Sequence, residues 1–181
     1  TICEDVWNDE DFWDDRRYRA NPVESLVEAG AEILINISAS PWHLGKNQVR
    51  QAMLANTATK VRRPLVYCNA VGGNDELIFD GGSSALDAEG RAMGQLPYFS
   101  EAVTLVDLSG SPVELAVTTD VAMLQDGLVL GVRDYLGKCG FQSAVIGLSG
   151  GIDSAVTAAI AVDALGAENV RGISMPSQYS S

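Results

Sequence analysis

The sequence predicts an α/β protein built in two pieces, and three observations carry that expectation. Short apolar runs at residues 33–37, 65–68 and 143–148 alternate with longer segments whose apolar residues recur at helical spacing. Ser109-Gly110-Ser111-Pro112 interrupts the pattern with the composition of a linker. Beyond it, Ser149-Gly150-Gly151 separates a strand-like run from an Ala-rich, helix-like segment.

The elements follow in order. Asn21-Pro22 opens a helix, with Asn at the N-cap and Pro at the first helical position. Val23, Leu26 and Val27 supply its apolar stripe, and Gly30 ends it. Residues 33–37 are apolar apart from Asn36, which predicts a strand covered on both faces. Residues 46–62 predict a helix with Val49, Met53 and Leu54 toward the core, stopped by Pro64. A strand follows at 65–68. Ile78-Phe79 and residues 84–87 flank Asp80-Gly81-Gly82 as a hairpin would, Ala88-Glu89-Gly90 reads as a second turn, and residues 102–108 as a further strand. After the linker, Val121, Leu124, Leu128, Val132, Tyr135 and Leu136 form a helical stripe ending near Lys138 and Gly140. Residues 143–148 then give a strand, 153–165 a helix and 169–175 a second strand.

Composition narrows the function. The net charge is −12, from 24 acids and 12 bases, which argues against nucleic acid because phosphate contacts need Lys and Arg. No apolar run is long enough to span a bilayer. Cys3, Cys68 and Cys139 are widely spaced and lack metal-ligand spacing, which fits a reducing cytoplasm. Seven acids between Glu4 and Asp15, followed by Arg16, Arg17 and Arg19, read as a solvated charged loop. His43 is the single histidine; with no GxSxG elbow, a Ser-His-Asp triad has no support and His43 is given no catalytic role.

Ser149-Gly150-Gly151-Ile152-Asp153-Ser154 is the strongest chemical signal. A helix start offers unpaired N–H groups and partial positive charge to an anion. Adjacent glycines let the backbone approach it closely. Ser149 and Ser154 add hydroxyl donors. The spacing is neither Walker A nor GxGxxG. It resembles the SGGxDS loop of the ATP pyrophosphatase (PP-loop) family, which grips the pyrophosphate of ATP. The alternative is an ordinary serine-glycine turn.

At the other end, Ile2-Cys3-Glu4-Asp5 is similar to the nucleophile turn of the nitrilase superfamily. Cysteine suits amide attack because its thiolate is a strong nucleophile; by itself Cys3 reads better as a buried free thiol. Residues 30–41, with Ser38-Ala39-Ser40 closing a strand and Lys46 beyond, together with Asn69-Ala70-Val71-Gly72-Gly73, Phe79-Asp80-Gly81-Gly82 and the closing Met175-Pro176-Ser177-Gln178-Tyr179, resemble the glutamine-dependent NAD synthetases over almost the whole chain.

That resemblance implies the C-terminal half of a nitrilase-type αββα glutaminase (carbon–nitrogen hydrolase) domain over residues 1–110. It implies a linker and the start of a Rossmann-like PP-loop domain over 111–181. It gives Cys3 as nucleophile and the Glu4 backbone N–H as oxyanion donor. Trp7, Ser40 and Lys46 would contact glutamine. Ser149, Gly150, Gly151, Ile152, Asp153, Ser154 and Met175 would bind ATP. Asp153 either faces Mg²⁺ or caps its helix. The substrates implied are glutamine, ATP and nicotinic acid adenine dinucleotide, with ATP and Mg²⁺ as cofactors, in a cytoplasmic homo-oligomer that binds neither nucleic acid nor membrane. The family's Glu base and Lys precede the Cys and are not assignable here, so the chain is expected to be a piece of a longer enzyme, inactive alone. Two other readings stay open: a non-catalytic fragment, and a nitrilase-type amidase fused to a nucleotide-binding module.

Overall fold

The computed structural model describes residues 1–10, 12–13, 18–115 and 118–176. Asp11, Asp14, Asp15, Arg16 and Arg17 of the charged run, and the closing residues 177–181, lie outside the described residues. The chain divides into two compact units. The first comprises Thr1–Val71 and Phe79–Asp120, and the second Gly72–Ile78 and Val121–Ser181.

The first unit starts with a single 3-10 turn, Cys3–Trp7. Helix α1 (Pro22–Glu28) begins as its residues dictate, with Asn21 Oδ1 accepting the Val23 N–H at 3.1 Å and Pro22 at the first helical position. It ends where Gly30, at φ +96°, donates to Val27 O while Ala31 donates to Leu26 O, the paired bonds of a Schellman stop. Strand β1 (Leu34–Ser38) leads to helix α2 (Lys46–Val61) and then to β2 (Leu65–Asn69). Strands β3 (Val71–Asn74) and β4 (Leu77–Asp80) form a separate hairpin, and β5 (Ser84–Leu86) and β6 (Ala92–Gln95) complete the main sheet. Its order is β1-β2-β5-β6, with β1 and β2 parallel from Leu34↔Leu65 to Ser38↔Asn69 and the remaining pairs antiparallel.

The core lies on one face of this sheet, where Leu34, Leu65, Tyr67 and Leu86 meet Val6, Val23, Met53, Leu54 and Ala58. Two expectations are corrected there. Strand β1 is not covered on both faces: Leu34, Asn36 and Ser38 are buried, while Ile35 and Ile37 are exposed. The pleat sends alternate residues to opposite faces, and only one face meets α1 and α2. On α2 the buried residues are Arg50, Met53, Leu54, Thr57 and Ala58, at helical spacing, and Val49 is exposed. Arg50 takes the inward position because Asp80 neutralises it there.

The hairpin expected between residues 78–79 and 84–87 does not form. β4 folds back on β3, and β5 joins β2 and β6. Gly81 and Gly82, at φ +64° and +61°, turn the chain from one sheet into the other. A Cβ would meet a Val71 methyl 2.5 Å from Gly81 and the Tyr98 ring 2.2 Å from Gly82, so glycine is required at both. Residues 102–108, expected as a strand, join no ladder. Val103 and Leu105 are fully exposed, and Val106 packs close over Gly94 of β6.

The second unit contains α3 (Asp120–Lys138), β7 (Ala144–Leu148), α4 (Ile152–Leu165), a 3-10 turn (Ala167–Asn169) and β8 (Val170–Ser174). β7 and β8 pair in parallel from Ala144↔Val170 to Leu148↔Ser174, and α4 packs against both. The tip of the β3–β4 hairpin rests on α3. Gly73 N–H donates to Asp134 Oδ2 at 2.8 Å, Lys138 Nζ donates to Gly73 O, and Ile78 lies against Gly131. The buried residues of α3 are Met123, Gly127 and Leu130. The expected stripe is largely exposed, at Val121, Leu124, Leu128 and Tyr135, because the two described strands of this unit cover little of the helix. No described helix is long and apolar enough to cross a membrane.

Candidate functional site

Cys3 is half-buried and free, at the first position of its 3-10 turn, with φ +48°. A left-handed backbone at a residue with a Cβ is strained by about 1–2 kcal/mol, so neighbouring bonds must hold it. Before it, Thr1 and Ile2 run beside β1: Thr1 donates to Ile35 O, Ile37 N–H donates to Thr1 O, and Ile2 bridges Ile37 in parallel. A short extended segment leads into the turn. After it, Asp5 N–H donates to Ile2 O at 3.1 Å, and Asp5 Oδ2 accepts the Ile2 N–H at 2.8 Å. From beneath, Asn36 Nδ2 donates to Thr1 Oγ1 at 2.9 Å and to Cys3 O at 3.4 Å. Glu4 follows within the same turn.

Two of the three side chains expected to contact glutamine come together. Lys46 Nζ lies 5.4 Å from the Trp7 ring centroid and donates to Pro41 O at 2.6 Å. A cation over an indole face is held there electrostatically. Trp7 also stacks, tilted, on Trp13 at 5.6 Å between centroids. Ser40 is buried just past β1, and its N–H donates to Asn69 Oδ1 at 3.0 Å. Asn69 turns its other end to Asp80 Oδ1 and Gly81 O, at 3.2 and 3.0 Å. The loop after β1 and the turn after β4 therefore share one buried amide. His43 is exposed, with Nδ1 3.0 Å from Leu44 O.

Four residues that sequence reasoning missed support this region: Asn36, Arg50, Asn69 and Asp80. Burial works against the Arg50 charge, but the Asp80 carboxylate, bonded and close, holds the guanidinium above its ordinary pKa. Burial pushes the Tyr67 phenol up, against the opposing pull of the Ser38 hydroxyl and Arg50. The guanidinium carbon of Arg50 lies 5.7 Å from the Tyr67 ring centroid. Asn36 left a signal as the lone polar residue in an apolar run, and Asn69 and Asp80 lie in motifs of the family resemblance; their pairing, and the inward turn of Arg50, are defined by partners distant in sequence.

In the second unit, residues 149–154 join the carboxyl end of β7 to the start of α4. Gly150 has φ +84°, and Gly151 is the extended N-cap of α4. The two serine hydroxyls lie 3.2 Å apart. Ser154 Oγ donates to Gly151 O at 2.9 Å and accepts the Ser149 N–H at 3.3 Å, while Ser149 Oγ accepts the Gly151 N–H at 3.3 Å. The loop is thus closed on itself by the groups that could turn to an anion. Ile152 and Asp153 form the first turn of α4, both exposed. Met175 follows β8 at the same carboxyl edge, where its methyl would lie 2.9 Å from a Cβ on Gly147. Ligands of parallel α/β sheets gather at such an edge. No group of three or more His, Cys, Asp or Glu side chains able to hold a metal occurs among the described residues. A single carboxylate, Asp153, fits Mg²⁺ carried mainly by phosphates and water rather than a protein-caged ion.

Comparison with known proteins matches both units. The carbon-nitrogen hydrolase family matches residues 13–116, and the NAD synthase family matches residues 124–181. The chain is 49% identical over 188 residues to the glutamine-dependent NAD(+) synthetase of Synechocystis, covering 100% of this chain and 34% of that protein. It is 42% identical over 188 residues to the enzyme of the same name from Rhodobacter capsulatus, covering 99% of this chain and 32% of that protein. The solved structure of the glutamine-dependent NAD+ synthetase from Acinetobacter baumannii, in complex with ADP, superposes with a TM-score of 0.86 at 36% identity, over 100% of this chain and 34% of that one. The chain therefore spans about a third of the length of these relatives. With more than half of its residues matched, the chain belongs to the carbon-nitrogen hydrolase family, and a segment of the NAD synthase family follows in the same polypeptide.

Proposed function

We propose that this chain is part of a glutamine-dependent NAD synthetase, in which residues 1–110 contribute to a glutaminase and residues 111–181 to an ATP-using amide ligase. The observation that carries the reading is the pairing, in one polypeptide, of a strained cysteine turn and a Ser-Gly-Gly loop at a helix start. The full-length relatives of that name support it.

In this reading Cys3 Sγ attacks the side-chain carbonyl carbon of glutamine. The Glu4 backbone N–H donates to the oxygen as it gains negative charge. The carbon–nitrogen bond breaks, ammonia leaves, and water hydrolyses the thioester to glutamate and free thiol. Trp7, Ser40 and Lys46 hold the amino-acid end of the substrate, with Lys46 as a point charge toward its carboxylate.

At the second unit the carboxylate of nicotinic acid adenine dinucleotide attacks the α-phosphorus of ATP, and pyrophosphate leaves onto the N–H groups and hydroxyls of residues 149–154. Ammonia then displaces AMP to give the amide. Met175 borders the adenine. Mg²⁺ bound through the phosphates and Asp153 would offset the charge of the leaving pyrophosphate. Ammonia is mostly protonated near neutral pH and then not nucleophilic, which is the chemical reason to generate it within the same enzyme.

The test is nitrogen transfer by the full-length gene product. With glutamine labelled at the amide, the label appears in NAD. Cys3→Ala abolishes glutamine-dependent NAD formation and keeps ammonia-dependent formation. Loss of both in a folded Cys3→Ala protein overturns the reading.

A further inference from the structure

We infer that Asn36 is a positioning residue for the Cys3 nucleophile, acting through the Cys3 carbonyl; this rests on the proposed role of Cys3. Asn36 is 1% exposed and faces the core side of β1, where its neighbours Leu34 and Ser38 are also buried. An apolar side chain would satisfy that environment better. Instead the amide stays, and its Oδ1 is buried without a hydrogen-bond partner. A buried unpaired acceptor is destabilising by about 1–3 kcal/mol. The other end of the amide is the reason for retaining it.

Its Nδ2 reaches both sides of the strained residue, donating to Thr1 Oγ1 at 2.9 Å and to Cys3 O at 3.4 Å. The Cys3 carbonyl can only accept, so the NH₂ end must point at it, and the orientation of the amide is fixed by chemistry. The backbone around Cys3 is held in three ways. The Thr1–Ile2 segment lies along β1, Asp5 closes the turn through Ile2, and the Asn36 side chain bonds the carbonyl of the nucleophile itself, beside the backbone bonds of the 3-10 turn. Cys3 has φ +48°, a conformation that relaxes if that peptide is free to rotate. Rotation there moves both Sγ and the N–H of Glu4, the two groups that must meet the carbon and the oxygen of one substrate carbonyl. Asn36 thereby sets their relative position without touching substrate.

The alternative role, packing, makes a different set of measurements move. The experiment uses the full-length gene product carrying Asn36→Leu, which keeps the branching of the side chain and removes its polar atoms, and Asn36→Asp, which keeps the shape and removes the donor. A misplaced nucleophile reacts more slowly at unchanged substrate affinity. We expect kcat for glutamine hydrolysis to fall roughly 10- to 100-fold in both variants, since misplacement by about 1 Å has effects of that order. KM for glutamine stays within about twofold, and alkylation of Cys3 by iodoacetamide slows in parallel. Ammonia-dependent NAD formation reports that the protein remains folded.

A kcat within twofold of the parent in either folded variant overturns the assignment. So does loss of ammonia-dependent activity in both, which makes Asn36 a packing residue. Cys3→Ala separates this inference from the reading beneath it. If Cys3→Ala still hydrolyses glutamine, the nucleophile assignment falls and Asn36 falls with it. If Cys3→Ala is inert while both Asn36 variants are normal, Asn36 alone is wrongly assigned.

Discussion

Arg50 and Asp80 form a two-pronged ion pair, Nη1 to Oδ1 at 3.0 Å and Nη2 to Oδ2 at 2.6 Å, with side chains 1% and 0% exposed. The pair ties the middle of α2 to the turn at which the chain leaves the β3–β4 hairpin for β5. Asn69 extends the tie to Ser40 on the loop after β1. Two loops that flank the candidate glutamine site are thus fixed by one buried polar cluster.

Removing one member should therefore be severe. Asp80→Ala leaves a buried guanidinium without its counter-charge and is expected to destabilise the protein by about 3–5 kcal/mol. The double variant Arg50→Met, Asp80→Leu should recover much of that loss, because no charge is then stranded. Urea unfolding of the three proteins checks both statements. A loss below about 1 kcal/mol for Asp80→Ala contradicts the buried pairing.

Lys46 is placed by the Trp7 ring and the Pro41 carbonyl. If its charge meets the glutamine carboxylate, Lys46→Met should raise KM for glutamine about tenfold or more, as expected for one charge-assisted bond, with kcat nearly unchanged. Ammonia-dependent synthesis should be insensitive. Lys46→Arg keeps the charge and should restore most of the affinity. Steady-state kinetics decide it: an unchanged KM in Lys46→Met removes Lys46 from the site.

Gly151 has space for a Cβ in the ligand-free loop, its nearest neighbour being Ser149 Oγ at 3.4 Å. Gly151→Val should therefore fold, yet it would fill the surface that phosphate approaches in the proposed ATP site. ATP binding and both routes to NAD should fall by at least tenfold, while hydrolysis of glutamine at Cys3 continues. Ser154→Ala removes one hydroxyl donor and should weaken ATP roughly 5- to 150-fold, equivalent to about 1–3 kcal/mol. Undiminished ATP affinity in Gly151→Val, by calorimetry, would return the segment to an ordinary turn.

Asp87 supplies the pH dependence. Burial raises its carboxyl, but the Arg91 side chain at 2.7 Å and the backbone N–H groups of Arg91 and Glu89 outweigh that and hold it below its ordinary value. The folded value lies below the unfolded one of about 3.9, so the contribution is complete above that pH and is lost as pH falls through the folded value. The stability difference between the parent and Asp87→Asn should be constant from pH 5 to 8 and shrink below about pH 4. Unfolding midpoints across that range test it; a difference that grows on acidification has the wrong sign.

Most of the secondary structure was legible because its signals are local. Asn21-Pro22 and Gly30 bound α1, Pro64 follows the end of α2, and the Ser-Gly-Gly turn joins β7 to α4. Cys3, Lys46 and residues 149–154 were proposed from short motifs, since the residue types themselves carry the chemistry. The sequence did not reveal which face of an element is covered. Asn36 looked like an exception in an apolar strand and is its most buried residue, while Ile35 and Ile37 are exposed.

Strand pairing around Gly81-Gly82 was also decided in three dimensions. Two adjacent positive φ angles can close a hairpin or redirect a chain between sheets, and only the contacts with Val71 and Tyr98 distinguish these. Residues 102–108 carry a strand's pattern but meet no partner ladder, because pattern sets propensity and a neighbour sets pairing. Sequence by itself determined the α/β class, the helix limits and which residues are candidates for the chemistry, all read from patterns within a few residues. Tertiary structure alone decided that Arg50 and Asn36 turn inward: a buried charge or amide is tolerable only beside its partner, and Asp80 and Cys3 lie some thirty residues away in the chain.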